Sequence, residues 1–302
     1  MDAQSGDVLA MVSLPAPARN ERGTPDELLD RARYGQYPPG STFKLVTAIA
    51  ALRIDPKLVH KTFQCRSFGG RGGTVIPGWR RIIRDDVGDP PHGTLDMRQA
   101  ITVSCNAYFA QLGVSEVGPA ALRDTLRLLA FPDADPVELK AMMPFASYGQ
   151  GPILATPFRM ARVAATIADV GVAPQGRWTL DENSGRTEAP EHIVPPEVAA
   201  FLADAMRSVV TNGTARRAMK GAQVSIAGKT GTAQLGEGQP HSWFAGFAPY
   251  DGERRIAFAV LVEHGGYGGS LAAPIAREIA EAASDLGIIS GSTPTTSQLQ
   301  KR

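Results

Sequence analysis

The stretch Tyr37-Pro38-Pro39-Gly40-Ser41-Thr42-Phe43-Lys44 runs directly into Leu45-Val46-Thr47-Ala48-Ile49-Ala50-Ala51-Leu52, and no other junction constrains the chain as tightly. Two prolines and a glycine exclude regular structure, and a helical pattern then starts abruptly. Leu45, Ala48, Ile49 and Leu52 recur at i, i+3, i+4 and i+7, which predicts one buried helix face. Ser41 therefore falls at the first turn, where free N–H groups and the positive end of the dipole favour negative charge. Lys44, three residues on, shares its face. A lysine beside a buried apolar helix is desolvated, its pKa falls, and its neutral amine can take the proton of a serine hydroxyl. A Ser-x-x-Lys also arises by chance at about one position in 250, and a serine opening a helix is often only a cap.

The bulk properties leave room for this chemistry and remove others. At 302 residues the chain is long enough for a sizeable core. Lys plus Arg is 31 against 30 for Asp plus Glu, so no basic field invites nucleic acid, and Arg80-Arg81 and Arg216-Arg217 read as solvated surface. The longest apolar runs fall well short of a membrane span. The N-terminus has no basic-then-apolar leader pattern. The two cysteines, Cys65 and Cys105, are too few for a disulfide scaffold and lack metal-ligand spacing; pairing and free buried thiols both stay open. The five histidines are scattered, so no metal site and no cofactor are expected.

In order, residues 7–13 read as a strand that enters a sheet almost at once, as in a fragment of something longer. A short helix is expected within 25–32, then the serine helix to about residue 54. Residues 63–91 are Gly-, Pro- and Arg-rich, with hairpins at best. Helices are expected over 94–102 with Thr94 as cap, 107–112, 118–130, from Thr156-Pro157 onward with Met160, Val163, Ala164 and Ile167 as the apolar stripe, and 197–210. Residues 172–194 form an excursion. The period then changes: 224–234, 242–248 and 255–263 are strands joined by short turns, hence antiparallel neighbours. A helix over 274–286, buried through Ile275, Ile279, Ala282 and Leu286, covers them. The fold class is α+β: an antiparallel sheet flanked by helices. One domain spans 1–286, with a helical subdomain over roughly 53–195, and the polar tail 287–302 is expected to be disordered.

Two further motifs occur once each, Ser104-x-Asn106 between two helices and Lys229-Thr230-Gly231-Thr232 in a strand. Together with Ser41 and Lys44 they supply the parts for acyl transfer from an amide. Ser41 attacks, Lys44 is the general base, and the N–H groups of Ser41 and Thr232 hold the oxyanion. Ser104 passes a proton between the lysines and the leaving amine, and Asn106 meets a substrate peptide group. Lys229, Thr230 and Thr232 bind a substrate carboxylate, and Gly231 lets another backbone approach closely. Gln150, between two glycines, is a candidate for the acyl pocket and equally a turn residue. Cys105, Tyr108 and Phe109 are expected to pack, Trp243 to be buried, and His241 and His264 to lie at the surface or in turns.

These three motifs in this order resemble those of the penicillin-recognising serine acyltransferases. The surrounding sequence is similar to the transpeptidase domain of class B penicillin-binding proteins, collinearly over roughly residues 2–285. The similarity includes Ser5-Gly6-Asp7-Val8-Leu9-Ala10-Met11, Ser104-Cys105-Asn106-Ala107-Tyr108-Phe109, Gly149-Gln150-Gly151 with Thr156-Pro157, Asn212-Gly213-Thr214-Ala215 and Trp243-Phe244-Ala245-Gly246-Phe247-Ala248-Pro249. The resemblance implies a β-lactamase/transpeptidase-like fold and a D,D-transpeptidase that cross-links peptidoglycan stem peptides ending in D-Ala-D-Ala. It implies acylation by β-lactams, and a glycan polymerase as partner of a longer protein at the outer face of the bacterial inner membrane. The family's membrane anchor and N-terminal pedestal are not among the stretches that carry the resemblance, so this chain is expected to be the catalytic part of a longer protein. A serine β-lactamase, a D,D-carboxypeptidase and a non-catalytic β-lactam sensor remain alternatives. For a class A hydrolase the glutamates to weigh are Glu116 and Glu138.

Overall fold

In the computed structural model, residues 1–18, 21–178 and 191–290 are described. A single turn, α1 (Arg31–Tyr34), precedes a 3-10 turn at Gly40–Phe43, which leads into α2 (Lys44–Ile54). Next come β1 (Phe63–Phe68), β2 (Arg71–Thr74), β3 (Ile83–Arg84) and β4 (Gly93–Leu95), a small antiparallel sheet ordered β3-β2-β1-β4. The helical part follows: α3 (Met97–Val103), α4 (Asn106–Leu112), α5 (Gly118–Leu128), α6 (Pro136–Ala141), α7 (Met143–Ala146) and α8 (Pro157–Ala168). A two-residue ladder, β5 (Val172–Ala173) with β6 (Glu191–His192), leads to α9 (Pro196–Thr211). The chain closes with β7 (Ala227–Ala233), β8 (His241–Ala248), β9 (Ile256–Val262) and α10 (Ala272–Asp285).

Strands β7, β8 and β9 are antiparallel neighbours in that order, with Thr230 opposite Phe244 and Phe244 opposite Val260. Every residue of β8 is buried, so both of its faces are covered, and α8 and α10 pack on β8 and β9 while α9 packs on β7. The position of α2 is more central than a single apolar stripe predicts. Every residue from Lys44 to Leu52 is buried, because Val46, Ala50 and Ala51 fill the sides between the expected stripe. Its one interior hydroxyl, on Thr47, donates to the Ser147 carbonyl at 2.8 Å, which removes the cost of burying it unpaired.

Several expectations are corrected. Residues 7–13 do not enter the sheet. Asp7 makes one bridge to Arg177, and Leu9 and Val12 are exposed; the edge of β9 is instead occupied by Met1–Ala3. Met1 and Ala257 exchange backbone bonds at 2.8 Å in both directions, so the apolar run beyond has no free edge to join. The short helix expected within 25–32 forms only from Arg31, as the single turn Arg31–Tyr34. Thr94 lies in β4, and α3 is capped by Asp96, whose carboxylate accepts from Gln99 N–H while Gln99 returns a bond to Asp96 N–H, a full capping box. In α10 the buried face is Ala272, Ala273, Ala276, Ala280 and Ala283; Ile279 and Leu286 are exposed, because close helix–sheet approach selects the small side chains. Gly287–Ile289, expected to begin the tail, turn back onto the helix, with Ile288 N–H donating to Ala283 at 2.9 Å and Ile289 buried. Residues 291–302 and most of the 172–194 excursion lie outside the described residues. No helix among the described residues is long and apolar enough to cross a membrane.

Candidate active site

The serine turn is held by main chain on both sides. Gly40 has φ +52°, a left-handed conformation, and a Cβ there would stand 2.7 Å from the Thr232 carbonyl oxygen. Its N–H donates to the Gly149 carbonyl at 3.0 Å, and a Cβ on Gly149 (φ +82°) would stand 2.1 Å from Gly40 O. Across the turn, a Cβ on Gly231 would be 2.9 Å from Thr42 Cγ2 and 3.0 Å from Pro39 O, so β7 runs against the turn as only a glycine allows. Trp243 Nε1 donates to Pro38 O at 3.0 Å, and Thr42 Oγ1 to Pro39 O at 2.7 Å. The result is a fixed Ser41 that is 8% exposed.

The three sequence motifs meet at its hydroxyl. Lys44 Nζ, fully buried, lies 2.8 Å from Ser41 Oγ, 2.7 Å from Asn106 Oδ1 and 3.1 Å from Ser104 Oγ. Lys229 Nζ, also fully buried, donates to Ser104 Oγ at 2.8 Å and to the Thr230 carbonyl at 3.0 Å. Ser104 ends α3 in the left-handed region (φ 64°), which breaks the helix and turns both its hydroxyl and its carbonyl toward Lys44. Cys105 then caps α4, with Sγ accepting from Tyr108 N–H at 3.4 Å.

Burial, opposed by the attraction of Asp86 and Asp85, brings the Lys44 pKa down to about 8. Burial pushes Lys229 well below the ordinary lysine value, and repulsion from Lys44 adds to it. Two ammonium groups that share one hydroxyl, with no carboxylate among the described residues bonded to either, do not both hold their protons readily.

The other candidates take varied places. Asn106 has both ends of its amide engaged inside the protein, Oδ1 on Lys44 and Nδ2 on the Arg84 carbonyl at 3.1 Å, so a substrate contact would use its second lone pair or N–H. Thr230 Oγ1 is 2.5 Å from Thr214 Oγ1, and Thr232 Oγ1 accepts from Gly268 N–H at 3.4 Å. Gln150 sits in the turn beside the serine motif, its N–H bonded to Phe145 O. Tyr108, Phe109 and Trp243 are buried as expected. His241 is a correction: it is buried, with its ring edge-on to Tyr37 and its Nδ1 accepting from His264 N–H at 3.1 Å. Glu116 is paired with Lys61 at 2.6 Å, and Glu138 is exposed on α6, so neither stands at Ser41.

Sequence reasoning missed three contributors. Asp85 accepts the N–H groups of Asn106 (2.5 Å) and Ala107 (3.1 Å) and so holds the head of α4. Thr214 partners Thr230. Gly268 packs against β7, where a Cβ would be 2.3 Å from Gly231 O. Only Thr214 carried a signal, as part of the Asn212-Gly213-Thr214-Ala215 stretch. Cys65, Asp85, His92 and Cys105, which show no metal-ligand spacing in the sequence, converge to within 4.8 Å of one another.

The geometry has close counterparts. The chain is 32% identical to peptidoglycan D,D-transpeptidase PbpA of Mycolicibacterium smegmatis over 94% of its length and 66% of that protein's. It is 28% identical to peptidoglycan D,D-transpeptidase MrdA of Haemophilus influenzae, over 92% and 51%. It thus spans about half to two thirds of these relatives. Penicillin-binding protein A of Mycobacterium tuberculosis, solved as a ceftriaxone acyl-enzyme, superposes with a TM-score of 0.77 at 29% identity, over 94% of this chain and 72% of that one. Penicillin-binding protein 2 of Pseudomonas aeruginosa, in complex with WCK 5153, gives 0.77 at 28%, over 93% and 69%. The profile of the penicillin binding protein transpeptidase domain matches residues 1–281, and the chain belongs to that family.

Proposed function

We propose that this chain is the catalytic domain of a peptidoglycan D,D-transpeptidase. The observation that carries the reading is the contact of a fully buried Lys44 amine with Ser41 Oγ at 2.8 Å, on a site whose second lysine reaches the same Ser104 hydroxyl. With its pKa near 8, Lys44 is in part a neutral amine at neutral pH, and it takes the Ser41 proton as Oγ attacks the penultimate D-alanine carbonyl. The N–H groups of Ser41 and Thr232 receive the developing oxyanion. Ser104 passes the proton on to the leaving D-alanine amine. Lys229 with the hydroxyls of Thr230 and Thr232 receives the terminal carboxylate of the donor peptide, and Thr214 orients Thr230. The amine of a second stem then resolves the acyl-enzyme.

A β-lactam follows the same first step and stays as an adduct on Ser41. The position of Glu116 and Glu138 away from the serine favours aminolysis over the glutamate-driven hydrolysis of a class A β-lactamase. This reading calls for a longer protein at the outer face of the bacterial inner membrane, supplied with glycan strands by a polymerase.

The test is intact-protein mass after exposure to a penicillin, followed by a D-Ala-D-Ala donor with and without an amine acceptor. One adduct per chain, lost in Ser41→Ala, and amine-dependent product support the reading. Rapid release of hydrolysed drug would reassign the chain as a β-lactamase, and an adduct with no turnover of any donor as a sensor.

A further inference from the structure

Among the described residues, two polar side chains next to the catalytic groups lack a partner. Tyr148 is only 8% exposed, yet its hydroxyl makes no hydrogen bond to any of these residues, and its oxygen is not sealed from solvent. Asp86 is half-buried, and its carboxylate accepts no hydrogen bond and makes no ion pair with them. A loop carboxylate in water needs no protein partner. A tyrosine this deeply buried ordinarily has one, so the phenol is the group out of place.

Both residues are tied to the active site through their neighbours. Tyr148 lies between Ser147, whose carbonyl accepts the Thr47 hydroxyl at 2.8 Å, and Gly149, whose carbonyl accepts Gly40 N–H at 3.0 Å. Residues 147–149 therefore run alongside the turn that carries Ser41 and Lys44. Asp86 comes two residues after Arg84, whose carbonyl accepts Asn106 Nδ2 at 3.1 Å, and its own carbonyl accepts Asp89 N–H at 3.1 Å to close the turn after β3. The charge of Asp86 reaches across the cleft. After burial, it is the strongest influence on Lys44; it also attracts Lys229, and with burial it holds the Tyr148 hydroxyl above the ordinary tyrosine value.

An aromatic row completes the place. Trp79, Phe145 and Tyr148 follow one another with ring centroids 6.2 and 6.0 Å apart, and the first two are half-buried. Ring faces and a carboxylate together suit an alkyl-ammonium ion, the rings through their quadrupole and the carboxylate through a charge-assisted hydrogen bond. The phenol oxygen can accept a further N–H. The surroundings also favour positive charge, since burial and then repulsion from Asp86 hold the Asp89 carboxyl above its usual value.

We propose that Asp86 and Tyr148, with Phe145 and Trp79 at the rim, form the subsite that receives the primary ammonium group of the acceptor strand. This rests on the transpeptidase reading above and names the groups that select its second substrate. The subsite holds the ammonium before transfer, and bond making stays with Ser41, Lys44 and Ser104. Water has neither a positive charge for Asp86 nor an alkyl stem for the rings, so the subsite favours the amine over its hydrolytic competitor.

The experiment measures how the acyl-enzyme formed from a D-Ala-D-Ala donor divides between water and an added acceptor, a ratio independent of the rate at which Ser41 is acylated. Two acceptors are compared: a peptide with a primary alkyl-amine, cationic at neutral pH, and hydroxylamine, which is neutral there. Asp86→Asn should lower partition to the cationic acceptor by at least about 10-fold, as expected for a lost hydrogen bond to a charged group. Tyr148→Phe should lower it several-fold, and Asp86→Glu, which keeps the charge, should retain more than Asp86→Asn. Partition to hydroxylamine should change far less in each variant. Tyr148→Phe keeps the ring and its packing, so it decides the matter if circular dichroism shows that an Asp86 variant does not fold. Ratios within twofold of the parent in both Asp86→Asn and Tyr148→Phe, or equal losses for the two acceptors, overturn the subsite. A parent chain that forms the penicillin adduct and transfers the donor to no amine fails the transpeptidase reading itself, and the subsite with it.

Discussion

Lys44 and Lys229, on a buried helix and on a sheet strand, converge on a single hydroxyl: Ser104 Oγ lies 3.1 Å from one ammonium nitrogen and 2.8 Å from the other. Among the described residues it is the one side chain hydrogen-bonded to both basic centres, and a proton moving between them has a path of two hydrogen bonds. Replacing Ser104 by alanine removes that path while leaving the Lys44–Ser41 contact in place. Acylation by a fluorescent penicillin should slow by about 10²–10⁴-fold, the usual range for a lost proton-transfer group. A rate within twofold of the parent would exclude a relay through Ser104.

The Lys44 pKa of about 8 sets the direction of the pH profile. The amine is competent as a base only when neutral, so the second-order acylation rate should rise with pH through about 8 and level off above it. Lys44→Arg, which stays protonated, should abolish both the rate and its rise. The same group bears on stability. Unfolded Lys44 holds its proton up to 10.5, so the unfolded state binds more protons between about 8 and 10.5, and its contribution to stability increases with pH across that window. Melting curves over that range check the sign.

Gly40→Ala places a methyl 2.7 Å from the Thr232 carbonyl oxygen at a φ of +52°. The strained backbone alone costs of order 1–3 kcal/mol, and the clash must be relieved by moving β7 or the serine turn. Gly70→Ala is the matched control, with a φ of +82° and nothing within 4 Å of the new methyl. The Gly40 variant should lose markedly more in chemical denaturation, and should lose acylation as well.

Thr214→Val deletes the partner of the Thr230 hydroxyl without touching either lysine. One neutral hydrogen bond contributes about 1 kcal/mol, so the apparent affinity for a donor peptide should drop several-fold. Because the group touches the proposed carboxylate site and not the base, KM should carry the change and the pH profile should keep its shape. A shifted profile with KM unaltered would assign Thr214 elsewhere.

How much of this was readable beforehand depended on whether the information was local. The break before Ser41, the cap at Thr156 and the change of period after residue 220 are written in neighbouring residues, and the corresponding elements are where the patterns put them. The motif residues were legible because each carries its own signature. Asp85 was not: it lies in an aperiodic Arg-Asp-Asp stretch, and only the folded chain brings it to the N–H groups of Asn106 and Ala107. Periodicity also misjudged surroundings. It marked one stripe of α2 as buried although the helix is enclosed on every side, and it favoured Ile279 over the alanines that lie against the sheet. A run such as 7–13 looks like a strand whether or not a sheet edge is left for it. Cys65 and Cys105 are 40 residues apart in sequence, and only the folded chain brings their side chains together.

The serine turn touches Gly149 and Thr232 through backbone atoms, with glycine at positions 40 and 149 on facing sides. Such a contact offers mutation almost no handle, since every replacement adds bulk where none fits and no side chain is available to trim. Variants that survive selection with altered reactivity should therefore arise one layer out, at residues such as Thr214 and Gln150, and the nucleophile's own seat should persist unchanged among them.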